Sequence, residues 1–451
     1  MSTDRDQPPT HAEAALAAVE AELATRWGET RLDPSLVRMA ALVRELGEPQ
    51  RAYPSIHLTG TNGKTSTARM VEALLLAHGL RTGRYTSPHL RSVTERIGLD
   101  GAPVSPELFA RTYERLRPHV LAVDAAQRHR LSFFEVLTGM AYAAFARARV
   151  DAAVVEVGMG GTWDATNVLD GTVSVVTPVS LDHTDRLGST PGEIAEEKKG
   201  IIKPGGTTVL ARQPADAERV LVRAARAHSA ELACQDREFA LVSRRPVPGG
   251  QSLELRGIGG AYPGVFLPLH GRHQAQNAAV ALASAEAFLG VGTGGAGPLD
   301  PRLVRTAFAS AASPGRLETV RENPTVVVDA AHNPAGALAT AEAVAEVFPR
   351  GDVIGVVAVS AGKDARAMLE ALEPALSLLV VTENTTERAL PAAELASIAM
   401  AVFGPHRLRV HPHLPEALTT ALRLAEEHTA GCLITGSIAT AGEAKGVLGR
   451  G

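Results

Sequence analysis

The sequence predicts an α/β protein built from two doubly wound domains, and three observations support that prediction. Short runs of apolar, β-branched residues alternate along the chain with amphipathic stretches, as they do in parallel sheets covered by helices on both faces. A loop containing glycine and lysine joins the first of these strands to a helix, which is typical of a P-loop domain. A second βα series begins near residue 314. We therefore expect a P-loop-containing, doubly wound N-terminal domain at 1–313 and a smaller, Rossmann-like C-terminal domain at 314–451.

The N-terminal domain is predicted to start with a loose polar segment, followed by a helix from Ala12 to Leu46. The next elements are predicted at the strand SIHLT, the helix GKTSTARMVEALLLAHG, the strand RTGRYTS, the helix SFFEVLTGMAYAAFARARV, the strands DAAVVEVG and VSVVTPVS, and the helix TPGEIAEEKKGIIKPGG. In the last of these helices, Thr190 is the expected N-cap and Pro204 with Gly205 the expected stop signal.

From Glu238 to Leu269 the pattern changes to alternating strands with Pro and Gly turns, which predicts an antiparallel appendage. A helix, GRHQAQNAAVALASAEAF, and a flexible loop from Gly290 to Pro301 follow. The C-terminal domain is expected to contain five strands with intervening helices, at TVVVDAAHNP, DVIGVVAVS, LLVVTEN, RLRVH and CLITGS.

Composition is that of a soluble globular protein and argues against several classes of function. The chain has 451 residues, of which 45% are apolar and 21% charged, and its net charge is −4, so no overall basic field indicates nucleic acid or an anionic membrane as a partner. No apolar run approaches the roughly 18 residues of a membrane span. The two cysteines, Cys234 and Cys432, lie too far apart for a metal motif or a disulfide framework. We expect a cytoplasmic protein that binds neither nucleic acid nor membrane.

The stretch HLTGTNGKTSTARM departs from the usual phosphate loop, G-x-x-x-x-G-K-[ST], because Leu58 stands where the first glycine is expected. Gly60 and Gly63 would still let backbone N–H groups approach phosphate oxygens, and Lys64 would add a full positive charge. The Thr65 hydroxyl could ligate Mg²⁺. The alternative is a tight βα turn with an exposed lysine, but a strand, GKT and a helix in succession favour phosphate binding.

Two other predicted strands end in candidate ligands. Glu156 ends one apolar strand, where it is equally compatible with a metal ligand and with an acid that turns to solvent. Asp182, His183 and Asp185 follow another strand, and a histidine beside an acid is more often a structural hydrogen-bonding pair than a ligand. Strand ends of one parallel sheet share an edge, however, so Thr65, Glu156 and His183 together suit Mg²⁺ with a nucleotide.

The remaining candidates are individually weak. Lys198 lies on a predicted helix whose charges read most simply as a solvated face. Asn277 begins a helix, where polar capping is the ordinary explanation. Arg316 lies at the interdomain junction, and Asp329 and His332 follow the first predicted strand of the second domain.

Taken together and in this order, these segments resemble the Mur ligase superfamily of ATP-dependent amide-forming ligases, and more closely its dihydrofolate synthase/folylpolyglutamate synthase branch. The resembling motifs are TGTNGKTS, YTSPHL with TERI, SFFEVLT, EVGMGGTWDATN, SLDHTDRLGSTPGEIAEEKKGIIKPG, GRHQAQNAA, PGRLE and DAAHNP. GTNGKT alone would fit any Mur-type ligase, whereas TSPHL with LDHTDRLG is typical of the folate branch. In this superfamily the shorter TGTNGKT loop is usual, so no glycine is missing.

The resemblance implies that the N-terminal domain is an ATPase domain with defined site residues. The implied ATP-binding residues are Gly60, Thr61, Asn62, Gly63, Lys64, Thr65, Ser66, Asn277, Arg316 and Asp329. The implied ligands of two Mg²⁺ ions are Thr65, Ser87, Glu156, His183 and Lys198. The implied catalytic residues are Lys64, Lys198, His183, Arg316 and His332. The implied folate or pterin contacts are Pro88, His89, Phe134 and Asp164, with Phe134 as the stacking residue. Lys198 matches a lysine that this family carbamylates with CO₂, which would overturn the solvated-face interpretation.

Three departures from the family pattern bear on the transfer of these roles. Thr162 and Trp163 replace a common Arg-Leu pair in the pocket wall. Lys199 adds a second lysine beside Lys198. Ala330 replaces a glycine, which should preserve the turn only if that position does not need a positive φ.

The function that the resemblance implies is ATP-dependent addition of L-glutamate to dihydropteroate, to tetrahydrofolate polyglutamates, or to both, through an acyl phosphate, by a monomeric enzyme. One alternative is a Mur-type amide ligase with a non-folate acceptor. Another is a catalytically inactive ATP-binding homologue, but such a protein would be expected to have lost Lys64, Glu156, His183 or Lys198, and all four are present.

Overall fold

The structure is a computed structural model that describes residues 10–28, 33–291, 297–349 and 351–449. Its strands are β1 (Ser55–Thr59), β2 (Thr82–Tyr85), β3 (Ile97–Leu99), β4 (Ala102–Pro103), β5 (Ala152–Glu156), β6 (Val173–Val176), β7 (Thr207–Leu210), β8 (Glu231–Cys234), β9 (Ala240–Val247), β10 (Gly250–Arg256), β11 (Ala261–Leu267), β12 (Glu318–Glu322), β13 (Thr325–Val328), β14 (Val353–Val357), β15 (Leu378–Glu383), β16 (Leu408–His413) and β17 (Gly431–Thr435). Its helices are α1 (His11–Ala24), α2 (Val37–Glu45), α3 (Lys64–Ala77), α4 (Pro106–Ala126), α5 (Phe133–Ala148), α6 (Thr184–Leu187), α7 (Pro191–Lys198), α8 (Ala215–Ala227), α9 (Arg272–Phe288), α10 (Pro301–Ala309), α11 (Pro334–Val347), α12 (Ala365–Leu372), α13 (Ala392–Phe403), α14 (Leu414–Glu427) and α15 (Ile438–Leu448).

The first sheet has the strand order β4-β3-β2-β5-β1-β6-β7-β8, and its central pairings are parallel. Its strands are apolar on both faces because helices cover both: α3 and α9 pack on one side, and α1, α2, α4 and α5 on the other. Strand β5 shows this directly, since Val154 belongs to the first core and Val155 to the second. Strand β1 lies between β5 and β6, so the segments after these three strands meet at one edge of the sheet.

The predicted antiparallel appendage is a three-stranded sheet in the order β11-β10-β9. One face joins the core beneath α9 and α10 through Leu253, Leu255 and Val265. Glu286 of α9 is buried there and accepts a hydrogen bond from the Tyr262 hydroxyl at 2.7 Å. The appendage therefore completes the N-terminal core.

The C-terminal sheet has the order β12-β13-β17-β14-β15-β16, with separate apolar cores on its two faces. Five of its strands are the predicted ones, and the prediction missed β12, which pairs antiparallel with β13 at the edge. The charged sequence ETVRE of β12 carries no apolar run, because an edge strand is only half covered. The predicted domain limit at 313/314 falls between α10, which packs on the first core, and β12, and it stays a prediction.

The single N-terminal helix predicted from Ala12 to Leu46 is wrong, because the structure has two separate helices there. Helix α1 ends at Ala24 with Thr25 as its C-cap, and α2 begins at Val37. The intervening segment contains Gly28 and Pro34, two residues that oppose helix continuation. Residues 29–32 lie outside the described residues, as do residues 1–9 of the predicted loose segment and residues 292–296 of the predicted flexible loop.

Cys234 on β8 and Cys432 on β17 are both buried and free. Burial raises the pKa of the Cys432 thiol to about 12. Among the described residues, no helix is long and apolar enough to cross a membrane.

His57 in the centre of β1 gives the fold a predicted acid sensitivity. The side chain is buried, its Nε2 lies 2.8 Å from Thr166 Oγ1, and burial lowers its pKa to about 3. In the unfolded chain the pKa of His57 is near 6.5. As the pH is lowered below that value, the unfolded state binds a proton that the folded state does not, so the free energy of unfolding decreases.

We expect His57→Gln to be less stable than wild type at pH 7 but to lose less stability on acidification. The difference in that loss should be on the order of 2 kcal/mol between pH 7 and pH 5. Urea unfolding at the two pH values measures it, with the exposed His129→Gln as the control. Equal pH dependence of His57→Gln and wild type would contradict the prediction.

Candidate active site

A cavity of about 590 Å³ lies between the carboxyl-terminal edge of the first sheet and the C-terminal domain. All but one of the residues predicted for the site line it, whichever role each was assigned. They are Gly60, Thr61, Asn62, Gly63, Lys64, Thr65, Ser66, Ser87, Pro88, Phe134, Glu156, Asp164, His183, Lys198, Asn277, Arg316, Asp329 and His332. The exception is His89, whose Nδ1 accepts a hydrogen bond from Arg96 Nε at 3.0 Å.

The loop after β1 has the backbone shape of a phosphate cradle. Gly60 and Gly63 have φ values of 143° and 88°, in the region that favours glycine. A Cβ on Gly60 would lie 1.9 Å from Thr177 Oγ1, and one on Gly63 would lie 2.6 Å from Asn277 Oδ1. The loop therefore packs directly against the ends of β6 and α9. Lys64 begins α3 and turns its ammonium group back onto the loop, donating to the Gly60 carbonyl at 3.0 Å.

Glu156 ends β5 beside this loop, in the register that pairs it with Leu58 of β1. Its carboxylate accepts hydrogen bonds from the Thr65 hydroxyl at 3.0 and 2.9 Å and is buried. Burial raises the pKa of Glu156, while the Lys64 charge opposes that shift. The acid does not turn to solvent, so the structure removes the solvent-facing alternative.

Asp182 and His183 follow β6 on the other side of the loop. The Asp182 side chain is only 8% exposed and is surrounded by Lys363, His332 and His183, with His183 Nε2 at 4.0 Å. Burial lowers the pKa of His183 to about 4, although Asp182 opposes that shift. A neutral imidazole at pH 7 is the form that binds a metal ion.

Lys198, at the end of α7, is buried rather than solvated, so the solvated-face interpretation of this helix is wrong at that position. Its Nζ donates to the Gly60 carbonyl at 2.9 Å, the same oxygen that accepts from Lys64. Burial and the neighbouring Lys64 lower the pKa of Lys198 to about 7. Lys199 does not share this environment, because its ammonium pairs with Glu196 and its side chain is 41% exposed.

The residues proposed as metal ligands are chemically mixed. Among the described residues, no group of three or more His, Cys, Asp or Glu side chains is placed to hold a metal ion. The lining instead offers the Thr65 hydroxyl, the Glu156 carboxylate and the His183 imidazole beside the phosphate loop. The hydroxyl and carboxylate oxygens suit Mg²⁺ that takes its other ligands from substrate phosphates and water, and the imidazole adds one nitrogen donor.

Arg316, Asp329 and His332 form the facing wall from the C-terminal domain. Asp329 follows β13 and accepts from the Leu317 N–H at 2.9 Å, the Ala331 N–H at 2.9 Å and the Thr340 hydroxyl at 2.7 Å. These bonds hold the turn that presents His332. Ala330 is not among the described residues with a positive φ, so the replacement of glycine there is compatible with the turn.

The end of the cavity away from the loop is aromatic. Phe134 lies in the first turn of α5 and packs against the backbone after β5, since a Cβ on Gly158 would be 2.6 Å from Phe134 Cζ. Asp164 is buried and caps the next turn by accepting from the Thr166 N–H at 2.9 Å. Its other oxygen accepts from the Met159 N–H at 3.0 Å, so both carboxylate oxygens of Asp164 hold the backbone of the loop after β5.

The two residues that depart from the family pattern in this loop have different surroundings. Thr162 anchors the loop by donating to the Glu197 carbonyl at 2.9 Å, and Trp163 lines the cavity.

Several lining residues were not predicted. Trp27 and Arg38 form part of the aromatic end, with the Arg38 guanidinium 5.0 Å above the Trp27 ring and 3.0 Å from Glu135. Nothing in the local sequence around these two residues indicates a binding role. Lys363 and Arg388 line the C-terminal wall in the segments after β14 and β15. A strand-end signal was available for these two, because ligands of open α/β sheets bind beyond the carboxyl ends of strands.

Comparison with known proteins agrees with this geometry. The model of the Mur ligase middle domain matches residues 58–285, and that of the Mur ligase glutamate ligase domain matches residues 315–438. A dihydrofolate synthase/folylpolyglutamate synthase of Mycobacterium tuberculosis is 48% identical over 462 residues, covering 97% of this chain and 94% of that protein.

Solved structures are similar over nearly the whole chain. A Mycobacterium tuberculosis folylpolyglutamate synthase complexed with ADP has a TM-score of 0.93 and 48% identity, covering 98% of this chain and 99% of the other. An FPGS–AMPPCP–folate complex has a TM-score of 0.83 and 30% identity, with coverages of 96% and 99%. These similarities establish both the family and the mixed α/β fold.

Proposed function

The chain belongs to the Mur ligase family, in its dihydrofolate synthase/folylpolyglutamate synthase branch, and we propose that it uses ATP to join L-glutamate to folate compounds. One observation supports this above the others: a single cavity brings together a phosphate loop, a buried carboxylate, two lysines and an aromatic end. Such a cavity can hold a nucleoside triphosphate and an aromatic acid side by side.

The loop and its lysines are suited to triphosphate. Lys64 and Lys198 both donate to the Gly60 carbonyl, and neither has a carboxylate partner among the described residues. Two ammonium groups so close together would repel each other, and phosphate oxygens bound beside Lys64 or a carbamate on Lys198 would relieve that repulsion. Arg316, on the opposite wall, would supply a positive charge that stabilises the γ-phosphoryl oxygens during transfer. We assign the base contact to Asn277, which packs against the loop at Gly63.

The metal-binding residues fit Mg²⁺. Thr65, Ser87, Glu156 and His183 would hold the ion, and Glu156 already has its carboxylate buried beside the loop. When bound, Mg²⁺ would neutralise charge on the transferring phosphoryl group. A carbamate on Lys198 would turn the buried cation into an anion and supply oxygen ligands for a second ion. The low exposure of Lys198 protects such a group from bulk water.

A carboxylate must be activated before an amine can attack it, because its own oxygen is a poor leaving group. A carboxylate oxygen of the folate acceptor attacks the γ-phosphorus, the bond to the β-phosphate oxygen breaks, and ADP leaves an acyl phosphate behind. The amine of L-glutamate then attacks the acyl carbon, loses a proton, and inorganic phosphate departs. Lys64 and Arg316 would stabilise charge on the phosphoryl oxygens, and His332 on the facing wall is placed to contact the same group.

The two substrates would occupy opposite walls. The pterin ring fits the aromatic end near Phe134 and Trp163, with Pro88 beside it. The two carboxylates of glutamate suit Lys363 and Arg388 on the C-terminal wall. One chain supplies all of these residues, which supports a monomeric enzyme, and the composition supports a cytoplasmic location.

The proposed activity predicts ADP release from Mg-ATP and L-glutamate when a folate acceptor is added. Purified protein would be assayed with dihydropteroate and with tetrahydrofolate separately. Turnover with one acceptor defines a monofunctional enzyme, and turnover with both defines a bifunctional one. No turnover with either acceptor would contradict the folate assignment and favour another acid as acceptor.

For the phosphate loop, we expect Gly63→Ala to weaken binding of Mg-ATP by at least about tenfold, because its Cβ would collide with Asn277. Gly79→Ala is the matched control, since Gly79 has a similar φ of 84° but no atom within 4 Å of the added Cβ. Calorimetric titration of both variants measures the effect. Equal affinities would show that the close approach at Gly63 does not shape the nucleotide site.

For Lys198, we expect Lys198→Ala to lose activity on the order of 100-fold, without rescue by bicarbonate. Carbon-13 NMR in labelled bicarbonate should show a carbamate signal in the wild type that the variant lacks. The signal should be weaker at pH 6 than at pH 8, because only the neutral amine reacts and the pKa of Lys198 is about 7. Lys199→Ala, which removes only the pair with Glu196, should keep both signal and activity. A wild-type spectrum without a carbamate signal would sink the proposal.

A further inference from the structure

The two domains meet in a polar contact at the phosphate loop itself, centred on Asn333. Asn333 is 1% exposed and forms the N-cap of α11, accepting from the Gly336 N–H at 2.8 Å. Its amide also pairs reciprocally with that of Asn62 in the loop, through hydrogen bonds of 3.2 and 3.0 Å. The second N–H of the Asn333 amide donates to Asp182 Oδ2 at 3.1 Å. Each polar atom of the Asn333 side chain therefore has a protein partner.

Asp182 connects this contact to a second point on the C-terminal domain. Its Oδ1 accepts from Lys363, and His332 Nε2 lies 3.6 Å from its Oδ2. Within the N-terminal domain, the phosphate loop is bonded to the segment after β6 that contains Asp182, because the Thr61 hydroxyl donates to the Ser180 carbonyl at 3.0 Å. The loop, the segment after β6 and the C-terminal domain thus form one continuous hydrogen-bonded unit.

We propose that Asn333 is a positioning residue that couples the seating of the C-terminal domain to the shape of the phosphate loop. Only an amide meets its three demands, since it must accept from the helix N-terminus while donating to Asn62 and to Asp182. Separation of the domains would break the Asn62 pair and the Lys363–Asp182 pair together. The side chain of Asn62 in the loop is therefore held from the C-terminal side only while the second domain is seated. This role rests on the proposed ATP-dependent function, because it assigns the contact a part in nucleotide binding.

A second interdomain contact provides an internal control. Arg244 of β9 pairs with Glu346 of α11, and these side chains are 16% and 22% exposed. This ion pair joins the same two domains through the antiparallel appendage. Its residues do not line the cavity.

The test compares Asn333→Ser with Glu346→Gln in the full chain. Serine keeps the helix cap but cannot donate to both Asn62 and Asp182. We expect Asn333→Ser to raise the KM for ATP and to lower kcat, each by at least about tenfold. We also expect a larger radius of gyration for the ligand-free variant in small-angle scattering. Its melting temperature should stay close to that of wild type. Glu346→Gln should leave KM and kcat within about threefold of wild type.

Two results would overturn the proposal. The first is an Asn333→Ser protein with wild-type scattering and a KM for ATP within about threefold of wild type. The second is an equal effect of Glu346→Gln, which would mean that any interdomain contact matters and not this one. If Asn333→Ser does not fold, Asn333→Asp retains the cap and places a second carboxylate beside Asp182, so the same measurements apply. Scattering needs no folate, and calorimetric titration with Mg-ATP should show the same roughly tenfold loss of affinity without an acceptor, so these two measurements separate failure of the coupling from failure of the folate assignment.

Discussion

The close approach of two lysine amino groups to one carbonyl oxygen is the constraint around which the rest of the site is organised. Lys64 and Lys198 come from different helices and both donate to Gly60, at 3.0 and 2.9 Å. Like charges this close, in a region shielded from water, are unfavourable unless anions are brought to them. Burial lowers the pKa of both lysines, and the Lys64 charge lowers that of Lys198 further. In the proposed function, bound phosphate and a carbamate on Lys198 would offset the repulsion.

The surrounding structure serves to keep that charge in place. Strand β1 lies between β5 and β6, so Glu156 and the Asp182–His183 pair flank the loop on its two sides. The close approaches of Gly60 to Thr177 and of Gly63 to Asn277 leave the loop no room to relax. The C-terminal domain then covers the loop through Asn333 and Lys363. In the proposed mechanism this cover would also exclude water from an acyl phosphate.

Much of the fold could be predicted from sequence because its strands are long enough and apolar enough to be recognised singly. Five of the C-terminal strands were found this way, whereas β12 was missed because it is a charged edge strand. The predicted N-terminal helix is too long because Gly28 and Pro34 separate α1 from α2. Aromatic residues such as Trp27 could not be assigned to the site, since the position of the Trp27 ring depends on its hydrogen bond to the Arg130 carbonyl, 103 positions away.

The phosphate loop, the strand-end carboxylate and the order of the elements can be read from the chain alone, because they are local patterns with a fixed geometry. The environment of a side chain whose neighbours come from elsewhere in the chain is visible only in the folded protein. Lys198 and Lys199 are adjacent and chemically identical, yet one is buried against Gly60 and the other pairs with Glu196 at the surface. Likewise, Asn333 became the bridge between domains only through contacts with Asn62 and Asp182, which are 271 and 151 positions away. Burial and long-range hydrogen bonds are properties of the packed chain, and no local pattern specifies them.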